Sequence, residues 1–250
     1  MIQLLFKKVK SLYEIIIFIF VSPIPKKDFI IVTGADSSHY KSLKQLLSSI
    51  YLYESTTKTL VFNLGLTQLE LNELKNKFKT IEIRKFNYSK YPKYFNININ
   101  AGEYAWKPVI IANVLNEFKC SICWMDAGNV LISPLTTIKK LMNFKGFYSP
   151  YSKGKIYEWT HPRSLSFLKT VKKILNKNNL NGACIAVNYK NNTARKVINK
   201  WKECIAPTGS NRTNHRQDQA ILSVLAHQYK ITNKIFNEYY GFKTHQDIDK

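Results

Sequence analysis

The chain has 250 residues, 45% hydrophobic and 13% aromatic, and its 38 basic against 16 acidic residues leave a net charge of +22. This hydrophobic content excludes a disordered chain and suits one core-bearing domain, alone or with a small appendage. The charge attracts polyanions such as nucleic acid, anionic lipid or nucleotide diphosphates. An AT-rich coding bias toward lysine, asparagine and isoleucine explains it equally well, so the charge alone names no partner.

At the N-terminus, Leu12 to Val21 is apolar except for Glu14 and follows Lys7, Lys8 and Lys10. Ser22-Pro-Ile-Pro-Lys-Lys27 offers no small-residue cleavage site for a signal peptide. The apolar run also falls short of the about 18–20 residues that a spanning helix requires. Residues 1–27 are therefore expected to form a separate basic and apolar segment, a short helix on the domain or on a membrane surface, with one domain over 28–250.

Downstream, short apolar runs alternate with helical patterns. Phe29 to Thr33 reads as a buried strand running into Gly34-Ala35-Asp36, with Ser37 or Ser38 capping the helix that follows. Leu43, Leu46, Leu47 and Ile50 give that helix one apolar face. Thr59 to Phe62 is the second strand, Leu69 to Phe78 a helix and Thr80 to Ile83 the third strand. A loop rich in tyrosine and asparagine spans Phe86 to Gly102, and Lys107-Pro108 opens the next helix. Ser121 to Met125 is a strand delivering Asp126, and Ser133-Pro134 supplies a cap and first turn for another helix. Strands at Phe147-Tyr148 and Ala183 to Val187 and helices at Thr193 to Glu203 and Gln217 to Tyr229 complete the order. The expected fold class is α/β, a Rossmann-type, mostly parallel sheet with helices on both faces.

The four cysteines include one C-x-x-C, Cys120 and Cys123. A single pair without a nearby histidine does not make a zinc site. In a strand context the two thiols point to opposite faces, so free thiols in a reducing compartment are expected.

In parallel sheets, ligands bind at the carboxyl ends of the strands. Asp126 emerges there, with Ala127 and Gly128 keeping the space beside it open. It fits two readings, a carboxylate for a divalent cation or a ribose hydroxyl, and a plain turn cap. Asp36 at the first strand end is likewise a donor-site acid or a helix cap, and Gly34 permits close backbone approach. Lys107 reads as a diphosphate contact or a solvated lysine, and Trp106 as a stacking or packing residue. Asp218 and Gln219 lie in the first turn of an amphipathic helix, where the dipole favours an ionised acid with or without a further role.

Four segments together, in order, resemble the GT-A glycosyltransferases, especially family 8. Val32-Thr-Gly-Ala-Asp36 with Tyr40 resembles the family's first strand, and Trp124-Met-Asp-Ala-Gly-Asn-Val-Leu131 its Asp-x-Asp strand. Leu180-Asn-Gly-Ala-Cys-Ile-Ala-Val-Asn188 resembles its Phe-Asn-Ala-Gly strand, and Arg216-Gln-Asp-Gln-Ala-Ile-Leu222 its Asp-Gln-Asp helix. Tyr104 to Pro108 and Trp124 to Ala127 also resemble an uncharacterised group thought to share this fold.

The resemblance implies a glycosyltransferase (hexosyltransferase-like) that retains anomeric configuration. Its donor would be a nucleotide-diphosphate sugar, with a UDP-sugar favoured. Its acceptor would be a glycan or lipid-linked glycan, in surface polysaccharide or lipopolysaccharide synthesis. Thr33, Gly34, Asp36, Lys107, Asp126, Asn181 and Gly182 would bind the nucleotide sugar, and Asp218 with Gln219 would stand at the reaction centre. Manganese or magnesium would be held by Asp126 and, in place of the family's late histidine, by Glu238 before Tyr239-Tyr-Gly241, with His245 a further candidate. Two departures bear on the metal: Gly128 stands where the family has the second acid of Asp-x-Asp, and Glu238 stands where it has the histidine.

Charge and the apolar N-terminus together fit a cytoplasmic protein, peripheral on the inner face of an anionic membrane. The competing reading is a non-catalytic protein that binds polyanions or membrane, although no helix-turn-helix, zinc-finger or RNA-binding signature supports specific nucleic-acid recognition. A two-metal phosphoryl-transfer enzyme or nuclease using Asp36 and Asp126 lacks the dense acid cluster such sites use.

Overall fold

The protein is described from a computed structural model that covers residues 2–204, 217–232 and 236–249. Helix α1 spans Ile2–Phe20, strand β1 Phe29–Asp36, α2 Tyr40–Tyr53, β2 Lys58–Gly65, α3 Gln68–Lys77 and β3 Ile81–Lys85. Then follow α4 Trp106–Phe118, β4 Ser121–Met125, β5 Val130–Leu131, α5 Thr136–Lys145, β6 Phe147–Tyr148, β7 Tyr151–Lys155, α6 Ile156–Trp159 and α7 Pro162–Phe167. The chain closes with β8 Asn178–Leu180, β9 Cys184–Val187, α8 Asn192–Glu203, α9 Gln217–Gln228 and β10 Phe242–Lys243.

The described residues build a six-stranded sheet in the order β3-β2-β1-β4-β9-β6. β3, β2, β1 and β4 pair in parallel. β9 runs antiparallel to both β4 and β6. The sheet is therefore mostly parallel, as the alternation of strands and helices implies, with one reversed strand that periodicity does not reveal. β7 and β8 form a small antiparallel pair outside this sheet, within a stretch without a strand signal in the sequence.

Alternation along the strands sorts the core into two layers. Ile30, Val32, Ile122, Trp124, Ile185 and Val187 pack on one face with Val109 and Leu115 of α4, Trp201 of α8 and Leu222 and Leu225 of α9. Phe29, Ile31, Cys123, Met125, Cys184 and Ala186 pack on the other with Leu43 and Leu46 of α2 and Ile138 and Leu141 of α5. Helices thus cover both faces, as parallel pairing requires. All four cysteines are free. Cys120 and Cys123 fall on opposite layers, and Cys123 instead faces Cys184 with the sulfurs 3.9 Å apart.

Helix α1 docks on α5. Phe18 packs against Phe144 and Phe236, and Lys145 pairs with Glu14 at 3.2 Å. Leu12, Ile16, Ile19 and Phe20 are left exposed. Among the described residues no helix is long and apolar enough to cross a membrane.

One helix start differs from expectation. α5 begins at Thr136, and Leu135 takes the cap position without a side-chain cap bond, so Ser133 is not its cap. The amide of Leu135 instead donates to Glu54 Oε1 at 2.9 Å. Glu54 is buried, as is Lys139, whose Nζ donates to Glu54 Oε2 at 2.5 Å, and Thr57 Oγ1 adds a bond of 2.6 Å. Burial pushes the Glu54 carboxyl up, but the Lys139, Thr57 and Leu135 bonds outweigh it and hold the group below its usual 4.5. A depressed carboxylate stabilises the fold above its unfolded pKa, and that stabilisation is lost as pH falls through the folded one. Lys139→Met leaves Glu54 charged and unpaired at the α2–α5 junction. Urea unfolding at neutral pH is expected to show a loss of about 3–5 kcal/mol, narrowing as acid protonates Glu54 in both proteins.

Candidate active site

Strand order 3-2-1-4 makes the gap between the carboxyl ends of β1 and β4 the switch point of the sheet, where chain connections leave to opposite sides. A cavity of ≈ 470 Å³ opens there. Gly34 and Asp36 from the end of β1 line it, with Asp126, Gly128 and Asn129 from the turn after β4. Tyr104 and Trp106 contribute aromatic wall from the start of α4, and His245 and Asp247 arrive from the C-terminal segment. Gly34 eases tight packing: a Cβ there would lie 3.1 Å from the Phe62 carbonyl oxygen and 3.3 Å from Leu64.

Asp36 ends β1 and is held from the next turn. Ser38 Oγ donates to its Oδ1 at 2.7 Å, and the His39 ring lies 3.1 Å away. The His39 bond, opposed by burial, holds Asp36 below the ordinary carboxylate range, and the same contact raises the imidazole. His39 is a site residue without a motif of its own; its placement three residues after Asp36 is the signal in the sequence that marks it.

Behind the cavity wall lies a buried ionic cluster. Lys107, only 3% exposed, projects from the first turn of α4. Its Nζ lies 3.0 Å from Asp126 Oδ1, 3.4 Å from Asp218 Oδ2 and 3.3 Å from the Gly182 carbonyl oxygen. The contact to Asp218 is an ion pair without hydrogen-bond geometry, since Asp218 Oδ2 has no hydrogen-bond partner among the described residues. Burial lowers the Lys107 pKa, but Asp126 and Asp218 outweigh it and hold the ammonium charged. The solvated alternative for Lys107 is therefore wrong, because the α4 start faces the ends of β4 and α9 instead of water. Trp106 packs, at 5% exposure, and its Nε1 donates to the Ala101 carbonyl.

Asp126 belongs to both the cavity and the cluster. Its backbone amide donates to Ala183 O at 2.9 Å, and the buried Trp124 indole donates to its Oδ1 at 2.6 Å. The carboxylate is thus fixed by two neighbours and still partly open to the cavity. That placement decides against a plain turn cap, because its oxygens serve the Trp124 indole of its own strand and the Lys107 ammonium from α4.

Asn181 and Gly182 form the turn from β8 into β9. Asn181 Oδ1 accepts from the Ala183 amide at 2.9 Å, and its Nδ2 donates to the Tyr239 hydroxyl at 2.7 Å. Gly182 N donates to Gln219 Oε1 at 3.2 Å, and a Cβ on Gly182 would stand 3.3 Å from Asp218 Oδ2. Asp218 is 8% exposed, and its backbone carbonyl accepts from the Trp201 indole at 2.9 Å. The fold therefore brings Lys107, Asp126, Gly182, Asp218 and Gln219 together. Thr33 is fully buried in β1, its Oγ1 has no partner among the described residues, and it does not line the cavity. Glu238 is exposed and does not line it either, whereas His245 does. His215 and Arg216, the residues before this helix, lie outside the described residues.

The sheet order, the reversed β9 and the position of the cavity define the GT-A glycosyltransferase fold. The chain is similar to the galactosyltransferase LgtC solved with donor and acceptor sugar analogs, at a TM-score of 0.55 and 14% identity over 86% of each chain. An active-site mutant of LgtC, with a glutamine replaced by glutamate, matches at 0.51 and 16% identity, over 78% of this chain and 69% of that one. The bifunctional glycosyltransferase WbbM in its apo form matches at 0.53 and 12% identity, over 82% of this chain but 38% of its own length. A family described as protein of unknown function (DUF1647) matches residues 14–112. No curated protein matches the chain.

Asp218 is pushed up, chiefly by burial and further by Asp126, while Lys107 opposes the shift. A carboxyl raised in the folded state costs stability once pH exceeds its unfolded pKa and it must ionise in place. Lys107→Met removes the opposing charge. The Asp218 carboxyl, followed by ¹³C NMR, is then expected to titrate at higher pH than in the wild type. The variant should also lose ground to the wild type in urea unfolding as pH rises from about 5 to about 8.

Proposed function

We propose that the protein is a glycosyltransferase that moves a sugar from a nucleotide diphosphate, with a UDP-sugar favoured, to a glycan or lipid-linked glycan acceptor. The observation that carries this is the Lys107–Asp126–Asp218 cluster at the carboxyl end of β4, behind an open cavity in a GT-A fold. The donor and acceptor sugar analogs bound by LgtC fit such a cavity in kind.

In this reading the nucleotide lies along Gly34, Asp36 and the aromatic wall of Tyr104 and Trp106, with Asp126 at the ribose and diphosphate. Asn181, Gly182, Asp218 and Gln219, which do not line the cavity, would meet the sugar from behind its wall. Transfer breaks the bond between the anomeric carbon and the diphosphate oxygen and forms one from that carbon to an acceptor hydroxyl oxygen, whose proton leaves with the departing phosphate or to water. Positive charge builds on the sugar ring as the bond breaks, and an ionised Asp218 in its buried setting would stabilise it. Lys107 opposes the upward push of burial on Asp218 and would hold Asp126 and Asp218 in direction before substrate arrives. Thr33 supports the nucleotide side from within β1.

A divalent cation, manganese or magnesium, would supply charge neutralisation to the leaving diphosphate. Among the described residues no three His, Cys, Asp or Glu side chains stand together as a preformed metal site. Hard cations at diphosphate sites are held by one or two carboxylates with phosphate oxygens completing the shell. The donor set fits that type: Asp126 lines the cavity, and so does Asn129, whose buried Oδ1 has no partner among the described residues. Glu238, the other ligand expected from sequence, would have to act from outside the cavity lining.

The exposed apolar side chains of α1 and the net charge of +22 support a peripheral seat on an anionic cytoplasmic membrane face, where lipid-linked acceptors lie. Service in surface polysaccharide or lipopolysaccharide assembly is the pathway this seat favours.

Two measurements test the reading. Calorimetry with UDP, and UDP release from a panel of UDP-sugars with and without manganese, should show binding and turnover. Asp218→Ala is expected to lower turnover by about 10²–10³ while UDP affinity stays within about twofold. Asp126→Ala should weaken UDP binding itself. Absence of any nucleotide binding by the wild type would sink the proposal. For the membrane seat, Ile16→Asp combined with Phe20→Asp is expected to reduce cosedimentation with anionic vesicles; undiminished pelleting would remove α1 from the account.

A further inference from the structure

Gly128 stands beside Asp126, and the space its missing side chain leaves is filled from the far end of the chain. A Cβ on Gly128 would lie 2.5 Å from Asp247 Oδ1 and 2.8 Å from its Cγ and Oδ2. All three nearest atoms belong to that one carboxylate. We propose that Asp247 supplies the second carboxylate of a divalent-cation site with Asp126, taking over from the tail the role that Gly128 cannot fill.

Three observations place the Asp247 carboxylate there by construction. First, Gln246 N donates to the Gly128 carbonyl at 2.8 Å, so the tail is hydrogen-bonded to the turn after β4. Second, the tail is clamped two residues beyond Asp247. Asp249 Oδ1 accepts from the Lys41 amide at 2.7 Å, and Asp249 Oδ2 accepts from the Ser42 amide at 3.0 Å and from the Ser42 hydroxyl. The Ile248 amide returns a bond to Ser42 Oγ at 3.0 Å. Helix α2 has no side-chain cap from its own N-cap residue, His39. Asp249 therefore satisfies first-turn amides that would otherwise lack partners, and a carboxylate at that helix end is favoured by the dipole. Third, Asp247 and Asp126 line the same cavity.

An independent feature points to a cation. Asn129, 1% exposed, also lines the cavity; its Nδ2 donates to Ala183 O at 2.7 Å and leaves Oδ1 without a partner among the described residues. A buried amide oxygen left unpaired is costly unless a donor or cation meets it. Two carboxylates and an amide oxygen are hard ligands, and diphosphate oxygens would complete the shell. His245 lines the cavity from the same tail and is a further donor within the segment. The site is therefore expected to close only with a diphosphate present, and in that respect it rests on the donor reading above.

The test is manganese binding followed by electron paramagnetic resonance of the free ion, with UDP and, separately, with inorganic pyrophosphate. Wild type should deplete the free-ion signal with either probe beyond what the probe alone does. Asp247→Asn, checked for folding by circular dichroism, should weaken manganese binding by about tenfold or more, the scale of losing one charged ligand of a hard cation. The exchange variant Gly128→Asp with Asp247→Ala moves the carboxylate to the turn and should recover most of the binding. Unchanged manganese affinity in Asp247→Asn, or no recovery in a folded exchange variant, overturns the inference. So does a wild type that binds no manganese with either probe. UDP binding that persists without any Asp247-dependent metal defeats this site and leaves the glycosyltransferase reading standing. Asp247-dependent manganese binding with pyrophosphate but none with UDP does the reverse.

Discussion

An ammonium buried among carboxylates is the constraint on which the site depends. Removing a lysine charge from water costs several kcal/mol unless oppositely charged partners surround it closely. Lys107 meets that condition because Asp126, Asp218 and the Gly182 carbonyl all come within 3.4 Å. Each partner belongs to a different element: the end of β4, the first turn of α9 and the turn into β9. The charge therefore fixes the relative placement of α4, the sheet and α9 at one point, and that point is the rear wall of the cavity. The buried Asp218 carboxyl is pushed up less than burial alone would push it because the lysine stands beside it, and the lysine in turn stays charged because of Asp126 and Asp218.

Small residues make the approach possible. Gly182 lets the β8–β9 turn come down on Asp218, and Gly34 lets β1 lie against Phe62 and Leu64 at the cavity floor. Gly128 has another use, since its empty side-chain position is where Asp247 lies. Three glycines thus serve three surfaces of one site, and each is fixed by a named neighbour. The reversed β9 matters for the same reason. Running antiparallel to β4, it begins beside Met125 and so places the Asn181-Gly182 turn at the end of the sheet where Asp126 emerges.

Much of this was legible in the sequence, and the failures have physical causes. Strands β1, β4 and β9 are largely continuous apolar runs because both faces of the sheet are covered there, and such runs are conspicuous, whereas the outer strand β3 alternates Ile81-Glu82-Ile83-Arg84 and is only partly buried. Asp36 and Asp126 stood out because acids directly after such runs sit at strand ends. Lys107 was read with a solvated alternative because a lysine in a first helical turn carries no sign of what faces it, and its partners lie far along the chain. Ser133 looked like a cap for α5, yet Glu54 from the end of α2 serves the Leu135 amide instead. Tertiary partners also decide the tail: nothing local connects Asp249 with the start of α2, or Asp247 with Gly128. The sequence shows residue types and periods, and long-range charge pairing has neither.

The cavity's charge balance supplies the last step. Asp36, Asp126, Asp218 and Asp247 gather in and behind it, while Lys107 reaches Asp126 and Asp218 alone of the four. His39 offsets Asp36, being raised toward its charged form by that contact. The cavity of this basic chain is thus acidic at short range, although the net charge is +22. A nucleotide diphosphate would be drawn toward the protein by the long-range field and then meet carboxylates. At contact distances in a partly dry site, close charges outweigh distant ones, because screening and solvent weaken the latter far more. A second anion in such a place needs a counter-charge between it and the carboxylates. The proposed cation shared by Asp126 and Asp247 would offset that repulsion where Lys107, already committed to Asp126 and Asp218, has no charge to spare.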